Sequence, residues 1–190
     1  NERGEREGQH WSGNFGHERF VALRNPDAEL DMSPVATGMK DPAAKLQFTF
    51  PDLDGKPVSL ADPRFQGKVV IVTLAGSWCP NCHDEASFLA QLYREHRAEG
   101  LEIVSLMFEH SADFTQAASA TRRFRKATGI DYATLIAGRS DGDDAVKALP
   151  QLTGVFAFPT TIWVDRAGVV RKIHAGFSGP ATGARGSRGS

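Results

Sequence analysis

The sequence predicts an α/β sandwich built around a mixed β-sheet. Residues 69–74 form a continuous apolar and β-branched run, which is typical of a strand that is covered on both faces of a parallel sheet. Further along the chain, strand-like runs alternate with amphipathic segments, and this alternation indicates βαβ units. The last two predicted strands, at 160–164 and 169–174, are joined by an Asp165-Arg166-Ala167-Gly168 turn and should pair antiparallel. Parallel units that end in an antiparallel pair make a mixed sheet.

Short strands precede this sheet. Alternating apolar and polar residues predict strands at 20–24 and 46–50. Asp54-Gly55 is a turn signal, and the strand-like residues 57–60 follow it. We therefore expect an N-terminal hairpin ahead of the central strand at 69–74.

Helices and strands then alternate through the middle of the chain. Between 80 and 97, apolar residues such as Ala86, Leu89 and Tyr93 recur at helical spacing, which predicts an amphipathic helix that ends before Gly100. The later elements are a strand at 101–108, a helix at 113–127, a strand at 132–137 and a short helix at 143–152.

Composition predicts one domain with polar ends. A chain of 190 residues with 41% hydrophobic content can bury a single core. Residues 1–19 are polar and rich in glycine, and we expect a flexible leader there. Residues 177–190 are expected to form a flexible polar tail, so that the domain itself spans 20–176.

Charge and hydropathy argue against several kinds of partner. The 22 basic and 23 acidic residues give a net charge of −1, so we expect no binding to nucleic acid. The longest apolar run, at 69–74, is far shorter than the roughly 18 residues of a membrane-spanning helix, and no span is predicted. Two thiols cannot fill a tetrahedral zinc site alone. We expect a monomer that holds no metal or cofactor.

The chain has two cysteines, Cys79 and Cys82, where the strand at 69–74 leads into the helix that begins near Pro80. Unpaired amides and the positive dipole at a helix N-terminus favour an anion, so Cys79 is the expected nucleophile. Cys82 lies three residues later on the same helical face and is the expected resolving thiol. Pro80 suits the first helical turn because its missing amide hydrogen would be unpaired there, and Asn81 adds no charge. This pair predicts thiol–disulfide exchange.

Specific motifs surround the cysteines. Residues 76–82 read Gly-Ser-Trp-Cys-Pro-Asn-Cys, Glu85 follows, and Phe158-Pro159-Thr160-Thr161 stands far downstream. Over 46–176 the chain resembles the thioredoxin superfamily, and within it the TlpA/ResA-like thiol-disulfide oxidoreductases. The resemblance implies a thioredoxin-like three-layer sandwich in which the helix and strand at 113–137 form a TlpA-type insertion.

The same resemblance implies roles for the residues around the cysteines. Pro159 is expected to be cis and to lie beside the pair, and Phe158 is expected to present its backbone to a substrate peptide. Glu85 corresponds to an acidic residue that assists proton transfer. The implied catalytic residues are Cys79, Cys82, Glu85 and Pro159. The implied substrate-binding residues are Trp78, Pro80, Asn81, Phe158 and Thr160.

The resemblance also implies a function and a location. We expect a thiol-disulfide oxidoreductase that reduces protein disulfides, is kept reduced by an upstream redox donor, and works outside the cytoplasm, either periplasmic or anchored through an N-terminal segment that this chain lacks. The chain departs from the family in two respects. Thr73 stands where simple thioredoxins have a buried acidic residue, and the C-terminal helix expected after Gly176 is missing.

Other functions remain open at this level. Cys79-Pro80-Asn81-Cys82-His83 also matches the haem-attachment pattern of c-type cytochromes, although the preceding strand and Phe158-Pro159-Thr160 favour exchange. We expect His83 to be solvated rather than a ligand.

The two thiols together with His174 would suit a copper chaperone of thioredoxin fold, which is the non-enzymatic alternative. A peroxidase is disfavoured because the threonine-containing loop of that group is not found before Trp78. Glu85 is equally compatible with a first-turn carboxylate that the helix dipole favours.

Overall fold

A computed structural model describes residues 37–179 and, before them, the strands at 5–7, 10–15 and 18–23. These three strands are β1 (Glu5–Glu7), β2 (His10–Phe15) and β3 (Glu18–Leu23). They pair antiparallel in the order β1-β2-β3 within one unit, Asn1–Pro34. β3 overlaps the strand predicted at 20–24, whereas β1 and β2 fall in the stretch for which the sequence predicted a leader without regular structure. The division into leader, domain and tail stays a prediction.

The second unit, Val35–Ser190, contains the predicted mixed sheet. Its strands are β4 (Thr49–Pro51), β5 (Pro57–Ser59), β6 (Val69–Ala75), β7 (Leu101–Glu109), β8 (Ala133–Arg139), β9 (Thr160–Val164) and β10 (Val170–Ala175). Five of them form one sheet in the order β10-β9-β6-β7-β8. β6, β7 and β8 run parallel, and β9 pairs antiparallel with both β6 and β10. The predicted central strand, parallel units and closing antiparallel pair are all confirmed.

Within residues 37–179, three α-helices cover this sheet: α1 (Pro80–His96), α2 (Phe114–Thr128) and α3 (Gly142–Ala148). Successive side chains of a strand point to opposite faces, and β6 follows this rule. Ile71 and Ala75 pack with residues of α1 and α2, whereas Val70 and Leu74 pack in a second core on the other face. The second core includes residues of α3 and of the β4–β5 hairpin. The unit is therefore a three-layer sandwich, as predicted.

Two predicted elements were wrong in their bounds. Leu46 and Phe48 are buried between exposed neighbours, which produced the alternation at 46–50, but the paired strand is only Thr49–Pro51. The short helix predicted at 143–152 ends at Ala148. Leu149 precedes Pro150, and a residue before proline is disfavoured in the helical region.

Helix ends follow local signals. Asp113 caps α2 by accepting a hydrogen bond from the Gln116 amide at 2.8 Å. Gly129, with φ 71°, ends α2, because this left-handed conformation favours glycine. α2 and β8 (Ala133–Arg139) lie where the sequence predicts a helix and a strand at 113–137; their interpretation as a TlpA-type insertion stays a prediction.

The remaining expectations concern the ends of the chain and the membrane. Residues 180–190, where most of the predicted tail lies and where the C-terminal helix is expected to be missing, lie outside the described residues. Among the residues that the structure does describe, no helix combines the length and apolar character needed to cross a membrane.

Candidate active site

The cysteine pair lies at the carboxyl end of β6. The chain leaves the strand at Ala75, and a tight turn follows in which the Cys79 amide donates to the Gly76 carbonyl at 3.1 Å. Cys79 is the N-cap of α1, and Pro80 occupies its first turn. The strand-to-helix junction predicted from the sequence is therefore present, with Cys79 next to the unpaired amides of the helix N-terminus.

The two thiols differ in their environment. Both are free, and Cys79 is 6% exposed whereas Cys82 is 1% exposed. Cys79 Sγ donates a long hydrogen bond to the Phe158 carbonyl at 3.5 Å. Burial, followed by a hydrogen bond with Cys79, raises the pKa of the Cys82 thiol well above its ordinary value. Cys82 is therefore a protonated thiol at neutral pH, and Cys79 is the more accessible sulfur.

The loop before β9 forms the second wall of the site. The Phe158-Pro159 peptide bond is cis, as the resemblance implies, and Phe158 lies against both Cys79 and Trp78. The Thr160 side chain is fully buried, and its hydroxyl donates to the Ala157 carbonyl at 2.8 Å. The whole Thr160 residue is buried, and it stands between Leu74 of β6 and Ala175 of β10 in the sheet.

Trp78 is the exposed aromatic residue next to Cys79. It is 39% exposed, yet its orientation is constrained by three contacts. The indole N–H donates to the Phe108 carbonyl at 2.9 Å, the ring meets Phe158 edge-on, and the His110 ring stacks on it at 5.0 Å. Trp78 is thus a fixed platform beside the sulfur. Of the other predicted contact residues, Pro80 is exposed and Asn81 is half-buried.

Glu85 is buried behind the cysteines, one turn along α1. It is 4% exposed, and its two oxygens accept hydrogen bonds from Thr73 at 2.6 Å and from Thr161 at 2.5 Å. Burial raises the pKa of this carboxyl, although the two threonine hydroxyls and the charge of His174 oppose that effect. The charge of Glu85 in turn contributes to the raised pKa of Cys82. Glu85 lies beyond the first turn of α1, so its interpretation as a first-turn carboxylate is wrong.

The threonine at position 73 has a clear structural role. The sequence singled it out as a departure, because simple thioredoxins place an acidic residue there. In the structure the Thr73 hydroxyl donates to the carboxylate that α1 supplies through Glu85. The buried acid is present, but it comes from a neighbouring element.

Sequence reasoning misjudged one residue and missed another. His83, expected to be solvated, is half-buried: its Nε2 lies 2.9 Å from the Ser77 carbonyl, and its ring packs edge-on against Phe124 at 4.6 Å. Glu109 was not considered, yet it is 3% exposed and accepts hydrogen bonds from Ser77. A signal was available, because Glu109 ends a mainly apolar run that begins at Ile103.

No group of three or more His, Cys, Asp or Glu residues within the described part of the chain could hold a metal ion. His174, the third ligand of the copper alternative, lies on β10 opposite Thr161 and is exposed.

A family comparison places this architecture among known proteins. The profile of the Redoxin family matches residues 36–185. The chain belongs to the Redoxin family. It is 31% identical over 123 residues to the thiol-disulfide oxidoreductase ResA of Bacillus thuringiensis subsp. konkukian, which is 65% of this chain and 62% of that protein. It is 27% identical over 146 residues to ResA of Geobacillus thermodenitrificans, covering 77% of this chain and 73% of the relative.

Solved structures agree on the fold. A thiol:disulfide interchange protein of the thioredoxin family from Chlorobium tepidum superposes with a TM-score of 0.58 at 23% identity, covering 76% of this chain and 93% of the other. A secreted disulfide oxidoreductase of Mycobacterium tuberculosis, homologous to E. coli DsbE, gives a TM-score of 0.52 at 22% identity, covering 70% and 88%. The chain spans 62% of the length of the B. thuringiensis ResA that it matches, and the likeness to the solved structures shows a shared fold.

Proposed function

We propose that this protein is a thiol-disulfide oxidoreductase that reduces protein disulfides with the Cys79–Cys82 dithiol. One observation carries the proposal: Cys79 Sγ lies at the N-terminus of α1 against the Phe158 carbonyl, with the more deeply buried Cys82 in hydrogen-bond contact behind it. The more exposed sulfur of Cys79 is suited to attack a substrate and the more deeply buried sulfur of Cys82 to resolve the mixed disulfide, which are the two roles that exchange requires.

The reaction proceeds through a mixed disulfide. The Cys79 thiolate attacks one sulfur of the substrate disulfide, forms an S–S bond to it and releases the other substrate sulfur as a thiolate. Cys82 then loses its proton and attacks Cys79 Sγ, which releases the second substrate sulfur. The substrate gains two electrons and leaves as a dithiol after protonation, and the protein is left with a Cys79–Cys82 disulfide.

Glu85 is the group that we assign to the proton of Cys82. The raised pKa of Cys82 means that its thiol must be deprotonated before it can attack. Glu85 interacts electrostatically with Cys82, is shielded from solvent, and has a pKa that burial raises above its ordinary value. A carboxylate with those properties is suited to accept this proton and to return it when the protein is reduced again.

Substrate contacts are assigned to the surface around Cys79. Phe158 would offer its backbone and Trp78 its exposed ring to the peptide that carries the disulfide, with Pro80 and Asn81 beside them. The buried Thr160 would support the loop that carries Phe158, through its hydrogen bond to the Ala157 carbonyl. Pro159 would keep Phe158 next to the sulfur. These assignments are supported by the contacts of Cys79 and Trp78 with Phe158.

The names of the relatives support our proposals for direction, partners and location. ResA and DsbE proteins are named for disulfide chemistry, and the M. tuberculosis protein is described as secreted. We assign this chain to the same kind of extracytoplasmic role: a monomeric reductant of protein disulfides that an upstream redox donor recharges.

A redox titration tests the proposal. The protein is equilibrated in glutathione buffers of graded potential, and its thiols are counted after alkylation. We expect a two-electron couple whose potential is nearer to the about −270 mV of thioredoxin than to the about −120 mV of the oxidant DsbA. Since the chain has two cysteines, Cys79→Ser leaves one thiol and should abolish the couple. A wild-type protein that forms no intramolecular disulfide would exclude the proposed function.

A further inference from the structure

The amide, hydroxyl and carbonyl groups of Ser77 all form hydrogen bonds with other side chains. It stands between the end of β6 and Cys79, two residues before the reactive sulfur. Its amide donates to Glu109 Oε1 at 3.1 Å, and its hydroxyl donates to Glu109 Oε2 at 2.7 Å. Its carbonyl accepts a hydrogen bond from His83 Nε2 at 2.9 Å. Because a carbonyl oxygen only accepts, Nε2 of His83 carries the hydrogen in this contact.

Glu109 connects Ser77 to the inserted helix. It is the last residue of β7, and its side chain is buried. Besides the two bonds from Ser77, Oε1 accepts a hydrogen bond from the hydroxyl of Thr121 on α2 at 3.2 Å. Through these three hydrogen bonds, one buried side chain joins β7, α2 and the loop that carries Ser77.

His83 makes a second connection to the same helix. Its ring packs edge-on against Phe124, which lies on α2 one turn after Thr121 and is 2% exposed. Both routes from Ser77, through Glu109 to Thr121 and through His83 to Phe124, therefore end on α2. The proposed proton transfer at Cys82 uses neither Glu109 nor His83.

The residues after Ser77 depend on its position. Trp78 follows it directly and donates to the carbonyl of Phe108, the neighbour of Glu109 in β7. Cys79 comes next, closes the turn onto Gly76, and lies 3.5 Å from the Phe158 carbonyl. A displacement of Ser77 would therefore move both the platform and the attacking sulfur.

We propose that Glu109 and His83 are positioning residues of the redox centre, which hold Ser77 so that Cys79 stays aligned for attack. The inserted helix α2 supports both of them. This inference rests on the proposed function, because it concerns the rate at which Cys79 exchanges. A misplacement of about 1 Å in a reacting group can slow a reaction about 100-fold. Loss of the hydrogen bonds that position Ser77 should therefore lower the rate of disulfide exchange.

Substitution of Glu109 by glutamine separates position from charge. Glutamine Oε1 can keep the bonds from the Ser77 amide and from Thr121, and its NH₂ group can donate to the Ser77 hydroxyl if that hydroxyl turns to accept. Glu109→Gln therefore preserves the connections and removes the charge. Glu109→Ala removes both.

The experiment measures kcat/KM for the reduction of insulin disulfides by the full-length protein and its variants, with dithiothreitol as the electron donor. We expect Glu109→Ala to lower kcat/KM at least tenfold and Glu109→Gln to stay within about twofold of wild type. Glu102→Ala is the matched control: Glu102 lies at the other end of β7 and bonds Lys68 and Tyr93, so its loss should leave the exchange rate unchanged. Urea unfolding confirms that each variant is folded.

The outcomes are separable. A folded Glu109→Ala variant with the wild-type rate would overturn the proposal, and so would a Glu109→Gln variant as slow as the alanine variant, because Glu109 would then act through its charge. If Glu109→Ala does not fold, the His83→Phe variant tests the proposal instead. This variant keeps an aromatic ring against Phe124 but loses the hydrogen-bond donor to Ser77. We expect it to lower kcat/KM at least threefold. An unchanged rate there would refute the hold on Ser77. Failure of the proposed function differs from all of these, because the wild type itself would then not exchange.

Discussion

Replacement of Gly76 by alanine should disrupt the redox centre with a single methyl group. Gly76 lies where the chain passes from β6 towards Cys79. A Cβ atom at this position would lie 2.9 Å from the Phe108 carbonyl oxygen and 2.7 Å from Cε2 of Trp78, and still closer to the indole nitrogen. An ordinary van der Waals contact requires at least 3.4 Å. Backbone or indole must therefore move by about half an ångström or more.

The size of the effect follows from what moves. The methyl group lies between Trp78 and Phe108, which share the 2.9 Å hydrogen bond that orients the indole. Overpacking a close contact costs about 1–3 kcal/mol, and loss of the hydrogen bond costs about 1 kcal/mol more. Because Cys79 follows Trp78 directly, we expect the exchange rate to fall about tenfold or more.

Two measurements check this expectation. Urea unfolding of the reduced protein gives the change in the free energy of unfolding, and turnover with insulin gives the exchange rate. Gly38→Ala is the control, since a Cβ there would meet Thr153 only at 3.8 Å, an ordinary contact. If Gly76→Ala stays within about 0.5 kcal/mol of the wild type and exchanges at the same rate, the packing described around Trp78 is wrong.

Two further predictions concern stability. The pKa of Glu85 is raised in the folded protein, so the folded state holds the Glu85 proton more tightly than the unfolded state does. The free energy of unfolding should therefore be greatest below the ordinary carboxyl pKa of 4.5. It should fall by about 1.4 kcal/mol per pH unit as pH rises from there towards the folded pKa. Urea unfolding of the reduced protein between pH 4 and 8 should show this fall in wild type and not in Glu85→Gln; parallel curves would contradict it. Asp113→Ala should cost about 0.5–2 kcal/mol, because the cap bond to the Gln116 amide is lost, whereas Asp113→Asn keeps an oxygen for that bond. Equal losses in the two variants would argue against the cap.

Much of the fold could be read from local patterns. The apolar run at 69–74 became the central strand β6, and the helical spacing after Pro80 became α1, because buried strands and amphipathic helices leave distinct periodicities in a sequence. The first and last residues of the strands and helices were harder to predict. Burial of Leu46 and Phe48 produced a strand-like alternation without strand pairing, since alternation reports which side chains are buried and not which backbones are bonded.

The roles of charged and polar residues near the site were harder to predict. The sequence gives no distance between Ser77 and Glu109, which are 32 positions apart, and their contact arises because β6 and β7 run parallel and end at the same edge. His83 was expected to be solvated, but it is half-buried. Its ring packs against Phe124 of α2, which lies 41 positions further along the chain.

The sequence by itself determined the pair of thiols, their order and their place at the start of a helix, because those properties depend on residues within a few positions of Cys79. The tertiary structure alone decided what surrounds them. Phe158, 79 positions away from Cys79, supplies the carbonyl against its sulfur, and Thr161, 76 positions away from Glu85, binds that buried acid. These contacts exist because β9 pairs with β6. Sheet pairing joins segments that are distant in sequence, and no local pattern encodes which polar atoms then meet.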